Sequence, residues 1–232
     1  MSQEETQKVV LVGRAGVGKT CIINRFTKDE FEAEYVSSFT AQFTRKIMEF
    51  SDGRRIIFDI WDTAGQEKYR ALAKMYYKNA RVVILVYDIT ESESFTELKD
   101  YWYEQVKQVD TENFIMAVAA NKSDLYEEKQ VEENEGEEFA KSIGAIFALT
   151  SAKNDVGITG LFDNIGRKIL DSSYDFFEEE KKKKKRKMKI VKKRRKILKK
   201  KEWIFYIIMK TEKILIKHKV LEFREKPSKK LI

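Results

Sequence analysis

The chain has 232 residues, 42% hydrophobic and 36% charged, with 46 Lys and Arg against 38 Asp and Glu and a formal net charge of +8. One cysteine, Cys21, and one histidine, His218, exclude a disulfide framework, a Cys- or His-based metal site and any histidine-dependent triad. The opening Met1-Ser2-Gln3-Glu4-Glu5 lacks the order of a signal peptide. No strictly apolar run, Trp203 to Met209 included, exceeds seven residues, against the ~18–20 needed to span a bilayer. A cytosolic protein is expected.

The charge is unevenly spread. Residues 178–232 hold 24 Lys and Arg against 7 acids, a net of +17, whereas residues 1–177 are acidic at a net of −9. All ten glycines lie in the first 166 residues, and the last 55 contain no Gly, Ala, Asn, Gln or Asp and carry the only proline, Pro227. Such a shift predicts a packed domain over 1–177 and a Lys-rich basic tail over 178–232, disordered or partly helical.

Taken in chain order, Val9 to Val12 reads as a first strand, and a Gly-rich turn then opens a helix over about 19–28. Gln42 to Phe50 alternates well enough for an added antiparallel strand, joined through Ser51-Asp52-Gly53 to a strand over 54–61. Val82–Tyr87, Phe114–Ala119 and Ile146–Leu149 are further strands, several apolar on both faces, with helical patterns over about 92–109, 132–143 and 158–171. Alternation on this scale predicts an α/β fold: a doubly wound, mostly parallel six-stranded sheet with helices on both faces. Such sheets bind ligands beyond the carboxyl ends of their strands.

Gly13-Arg14-Ala15-Gly16-Val17-Gly18-Lys19-Thr20 fits G-x-x-x-x-G-K-[ST] directly after the first strand and at the start of the first helix, the context of a P-loop NTPase. The glycines let backbone N–H groups turn inward onto phosphate oxygens, Lys19 reaches the β- and γ-phosphates, and Thr20 offers a hydroxyl to Mg²⁺. Three more motifs fall at later strand ends. Asp62-Thr63-Ala64-Gly65 supplies a carboxylate for Mg²⁺ through water and a Gly65 N–H for the γ-phosphate. Asn121-Lys122-Ser123-Asp124 offers Asp124 to the two adjacent N–H groups of a guanine edge, a polar readout that rejects the wrong base by roughly 10⁴-fold or more. Ser151-Ala152-Lys153 suits a backbone donor to the guanine carbonyl oxygen.

With these four motifs in this order, residues 6–172 resemble the Ras-like small GTPases, and among them the Rab family of vesicle-traffic regulators. Trp61-Asp62-Thr63-Ala64-Gly65-Gln66-Glu67-Lys68-Tyr69 is similar to the Rab second switch, continued by Tyr76-Tyr77 and Val82 to Thr90; Leu72 to Tyr77 is similar to the early-endosomal branch. The resemblance implies a GDP/GTP switch with Mg²⁺, loaded by an exchange factor, read by effectors and turned off by a GTPase-activating protein. It implies Gln66 as the catalytic residue orienting the attacking water. Ala15, Gly16, Val17, Gly18, Lys19, Thr20 and the Cys21 amide would hold the phosphates, and Thr20, Ser38 and Asp62 the metal. Phe31 would lie against the guanine, with Asn121, Lys122, Asp124, Ser151, Ala152 and Lys153 around it. Phe43, Trp61 and Tyr76 fall where Rabs place an aromatic triad that partners read; the alternative is ordinary half-buried aromatics. A partner's arginine would add 10³–10⁵-fold to slow intrinsic hydrolysis; Arg14 is an internal candidate by its place in the loop alone.

Two features depart from that pattern. Registering the first switch on Phe43 puts Ser38 where the family has a threonine, so the ordered GTP-bound switch loses a methyl contact; Thr40 is an alternative ligand. In the tail, Lys229-Lys230-Leu231-Ile232 offers no prenylation cysteine. Residues 181–201 instead carry 16 Lys and Arg and no acid. With the apolar run at 203–209 this suits an anionic membrane surface over 181–209. The expected protein is a monomer, cytoplasmic with peripheral endomembrane association, with no specific nucleic acid partner. A guanine-nucleotide-dependent protein acting away from membranes, nuclear or RNA-associated through its basic tail, is the alternative. Lys and Ile supply 28 of the last 55 residues, a bias also expected from translated A/T-rich non-coding or shifted-frame DNA, which would make the tail other than the natural C-terminus.

Overall fold

The computed structural model describes residues 5–32, 42–62, 76–77, 79–108 and 114–224. It falls into two compact units, Met1–Phe177 and Glu178–Ile232.

In the first unit six strands form one sheet in the order β2-β3-β1-β4-β5-β6. They are β1 (Glu5–Val12), β2 (Gln42–Glu49), β3 (Arg55–Asp62), β4 (Val82–Asp88), β5 (Ile115–Asn121) and β6 (Ile146–Leu149). Only β2 runs antiparallel, pairing Phe43 with Trp61 and Glu49 with Arg55 across the hairpin. The parallel strands β1, β3, β4, β5 and β6 therefore end on one rim, which gathers the strand ends Val12, Asp62, Asp88, Asn121 and Leu149. That rim is where the sequence motifs fall.

Successive strand residues point to opposite faces, so an all-apolar strand must be covered twice. Every residue of β4 is buried. On one face Val9, Leu11, Phe58, Ile60, Ile84 and Val86 pack with Ile22 and Phe26 of α1 (Lys19–Lys28) and Leu161, Phe162 and Ile165 of α5 (Ile158–Leu170). Phe26 and Phe162 stack at 3.6 Å, locking α1 to α5. On the other face Val10, Val12, Val83, Leu85 and Tyr87 meet Phe95, Leu98, Trp102 and Val106 and, through Ala140, α4 (Glu133–Ser142).

The helical stretch after β4 is not uniform. Helix α2 (Ser92–Glu97) runs into a π-helical segment (Leu98–Tyr103) and then α3 (Glu104–Lys107). The widened turn keeps Leu98 and Trp102 on the core side, both essentially inaccessible. Trp102 is thus core, while Tyr101 and Tyr103 are partly buried against it. A 3₁₀ segment, Ser123–Glu128, links β5 to α4, whose start is closed by a capping box between Glu132 and Glu135.

Helix α6 (Phe176–Arg224) begins with Phe176 and Phe177 packed on the first unit's core and continues as the second unit. There Glu178, Glu179 and Glu180 pair three residues on with Lys181, Lys182 and Lys183. Beyond them Met188, Ile190, Val191, Ile197, Leu198, Trp203 and Met209 are all exposed. No helix among the described residues is long and apolar enough to cross a membrane.

Candidate functional site

The loop from Gly13 to Thr20 turns sharply because its glycines take backbone angles other residues avoid. Gly13 has φ 146°, and a Cβ there would collide with the Val86 carbonyl of β4; Gly18 has φ 94°, and a Cβ would strike the Asn121 side-chain amide. Both close approaches tie the loop to neighbouring strand ends. Helix α1 then starts at Lys19 with no side-chain cap and no acid in its first turn, leaving its N-terminal amides and positive dipole for an anion.

Lys19 lies inside this loop, 5% exposed. Its Nζ donates to the Gly13 and Arg14 carbonyl oxygens, each at 2.8 Å. Burial pushes its pKa down to about 8, against the attraction of Asp62 and Glu97. A buried ammonium that donates to neutral carbonyls and is attracted by a carboxylate is suited to gain from an arriving phosphate.

Thr20 and Asp62 meet at the loop's edge, the Thr20 hydroxyl donating to Asp62 Oδ2 at 2.5 Å. Two hard oxygen donors so placed fit Mg²⁺, which takes one or two protein oxygens and completes its shell from phosphates and water. No group of three His, Cys, Asp or Glu among the described residues forms a metal site by itself. Cys21 is half-buried against the core, and burial pushes its thiol pKa up, so the residue behaves as a small apolar side chain.

The base-side loops are cross-braced. Asn121, 2% exposed, donates from Nδ2 to the Val17 carbonyl at 2.8 Å and accepts from Thr150 Oγ1 at 3.2 Å. Lys122 sits in the left-handed region, φ 65°, and its ammonium pairs with Asp88 Oδ2 at 2.6 Å. Asp124 Oδ1 accepts from the Ser151 hydroxyl at 2.6 Å, and Lys153 stands 4.0 Å from Oδ2. Ala152 is buried, its carbonyl accepting from Arg25 Nε at 2.8 Å. Phe31 packs partly buried against the core beside α1.

The structure thus brings together the phosphate loop, Asp62, the Asn121–Asp124 loop and the Ser151–Lys153 loop. Ser38, Gly65 and Gln66, with Thr40 and Leu72 to Met75, lie outside the described residues. Of the aromatic triad, Phe43 and Trp61 meet edge to face at 5.5 Å, with Phe43 half exposed, and Tyr76 packs partly buried against the core. Arg14 is engaged by Glu91 at 2.9 Å and Glu93 at 2.6 Å, with Glu97 at 3.8 Å.

Sequence reasoning missed two supporting residues. Asp88 ends β4 on the same rim as Asp62 and Asn121, and the strand-end rule that found those two applies equally to it. Its other oxygen accepts from the Thr90 amide and hydroxyl, which leaves the carboxylate fixed for Lys122. Arg25 reaches a loop 127 residues away, and nothing local in the sequence signals that.

The sequence model of the Ras family matches residues 8–171. The chain is 43% identical to human Ras-related protein Rab-22A over 162 residues, 70% of this chain and 82% of that protein. It is equally similar, over the same shares, to human Ras-related protein Rab-31. Ras-related protein Rab-1D of Dictyostelium discoideum is 38% identical over 171 residues, 74% of this chain and 83% of the relative. These likenesses and the geometry of the rim agree, and the chain belongs to the Ras family as a Rab-type small GTPase of vesicle traffic.

Proposed function

We propose that the rim carries the nucleotide site of this GTPase, with each residue in the role that its motif implies. Backbone amides from Ala15 to Cys21 and the Lys19 ammonium bind the phosphates, and Thr20, Asp62 and Ser38 hold Mg²⁺, which neutralises phosphate charge. Gly65 meets the terminal phosphate and Gln66 orients the attacking water. Asp124, backed by Ser151, reads the guanine N–H pair, with Asn121, Lys122, Ala152, Lys153 and Phe31 around the base. The observation that carries this reading is the Asn121 to Val17 hydrogen bond, which fastens the base-reading loop directly to the phosphate loop. Calorimetric titration tests it: GDP binds with Mg²⁺ and ADP does not, and Gln66→Leu keeps GTP binding while single-turnover hydrolysis falls. Equal affinity for ADP refutes the base assignment.

Exchange factor, activating protein and effectors meet the switches around Phe43, Trp61 and Tyr76, and the protein acts as a monomer. The likeness of Leu72 to Tyr77 to the early-endosomal branch supports an endosomal membrane as its place of action. Residues 181–209 supply peripheral attachment to anionic lipid, because 16 cations over 181–201 adjoin exposed apolar side chains on α6. Flotation with phosphatidylserine-containing and neutral vesicles tests this, and equal recovery with both overturns the lipid-charge assignment. No observation favours the nuclear or RNA-associated alternative.

A further inference from the structure

The phosphate loop is fastened from three directions. From inside, Lys19 holds the Gly13 and Arg14 carbonyls; from the base side, Asn121 holds the Val17 carbonyl. The third fastening comes from a residue the phosphate-loop pattern leaves unspecified. Arg14 brings its guanidinium to three carboxylates around α2: Glu91 at 2.9 Å, Glu93 at 2.6 Å and Glu97 at 3.8 Å.

This cluster has a rigid base. Glu97 also accepts a hydrogen bond from the Trp102 indole Nε1 at 3.1 Å, and Trp102 is only 1% exposed. The two are five residues apart, and the π-helical segment that begins at Leu98 is what brings such a pair onto one side of the helix. The side chains of Glu91 and Glu93 are more exposed, and Arg14 is about one-third exposed, so the outer part of the cluster feels salt and the inner part does not. Arg14 therefore links a buried core aromatic, through Glu97, to a loop whose carbonyl holds the phosphate-binding ammonium.

We infer that Arg14 is a positioning residue for nucleotide binding: its ion-pair cluster with Glu91, Glu93 and Glu97 pins the first half of the phosphate loop to α2 and slows nucleotide release. It does not act as an internal arginine finger, because its guanidinium is already committed to these carboxylates. The inference rests on the nucleotide site proposed above.

The test is the release rate of a fluorescent GDP analogue from the full chain with Mg²⁺, together with single-turnover GTP hydrolysis at saturating nucleotide. Arg14→Ala raises the release rate about fivefold, the size expected when a partly exposed ion-pair network is lost. Arg14→Lys gives a smaller increase, since one ammonium cannot serve three carboxylates as a fork does. The reversed pair Arg14→Glu with Glu93→Arg restores release to within about twofold. Trp102→Phe, which removes the donor and keeps an aromatic ring of smaller size, shifts release in the same direction by less. Wild-type release quickens with salt while that of Arg14→Ala changes little. Unaltered release in Arg14→Ala overturns the inference, as does a fall of 100-fold or more in saturated single-turnover hydrolysis, which makes Arg14 a finger. Failure of the wild-type chain to bind the GDP analogue is a different outcome, since it rejects the nucleotide site itself.

Discussion

The two units of this chain both invite anions, by opposite means. The first is acidic overall, at −9, yet it holds one buried ammonium beside one helix N-terminus that has no side-chain cap. The second carries +17 on exposed side chains, with nothing that fixes where a phosphate would sit. Net charge therefore locates a long-range attraction, whereas recognition comes from groups that are desolvated and held. The sharpest way to break this contrast is to remove one cation from the first unit and four from the second. Lys19→Ala lowers GDP affinity by about 100-fold or more, the scale expected on truncating a buried, hydrogen-bonded charge. Changing Lys181, Lys182, Lys183 and Lys184 together to Gln leaves it within about twofold, both read by titration with a fluorescent GDP analogue.

Base recognition extends the same contrast. Asp124 is fixed by Ser151 rather than left mobile, so its loss is not made good by water. Asp124→Ala weakens GDP binding about 100-fold in a competition assay and leaves the feeble binding of ADP unchanged. A parallel fall for both nucleotides would show that the loop merely collapses.

Most of the sheet was legible because its strands carry their own evidence. Val82–Tyr87 is apolar on both faces and can only be a central strand, whereas Gln42–Phe50 alternates and is an edge strand with one open face. The first helix, expected over about 19–28, runs from Lys19 to Lys28, with Gly18 before it and Asp29, in the left-handed region, ending it. The π-helical turn at Leu98–Tyr103 was not legible: the apolar spacing over 92–109 suits an ordinary helix, and the widening serves the burial of Trp102. In the site, residues with a motif were found and their braces were not. Lys19, Asp62, Asn121 and Asp124 belong to spacings that chemistry dictates; Asp88, Arg25 and the acids around Arg14 act only through contacts made in space.

For the second unit the expected effect is on salt dependence. Its cations are exposed and unscreened only at low ionic strength. Raising salt from about 0.05 to 0.5 M abolishes flotation with anionic vesicles and changes GDP affinity by less than about threefold, the latter because its decisive charge is buried. Ile197→Asp with Leu198→Asp, on an exposed face of α6, weakens flotation at low salt as well, which distinguishes apolar contact from charge alone.

The smallest expected effect separates packing from exposure within the first unit. Helix α5 holds two glycines. Gly160 faces open space, and a methyl there meets nothing within 4 Å, whereas a methyl on Gly166 would run into the Phe50 ring, itself buried beside the β2–β3 turn. Helix propensity favours alanine at both by up to about 1 kcal/mol. At Gly160 that gain stands alone, and Gly160→Ala raises stability by about 0.5 kcal/mol. At Gly166 the gain is outweighed, since overpacking a filled core costs about 1–3 kcal/mol. Gly166→Ala therefore lowers stability, and the two variants move the midpoint of urea unfolding in opposite directions. An equal gain at both would mean that Phe50 has room to turn aside, and that the core beneath α5 is less closely packed than its contacts require.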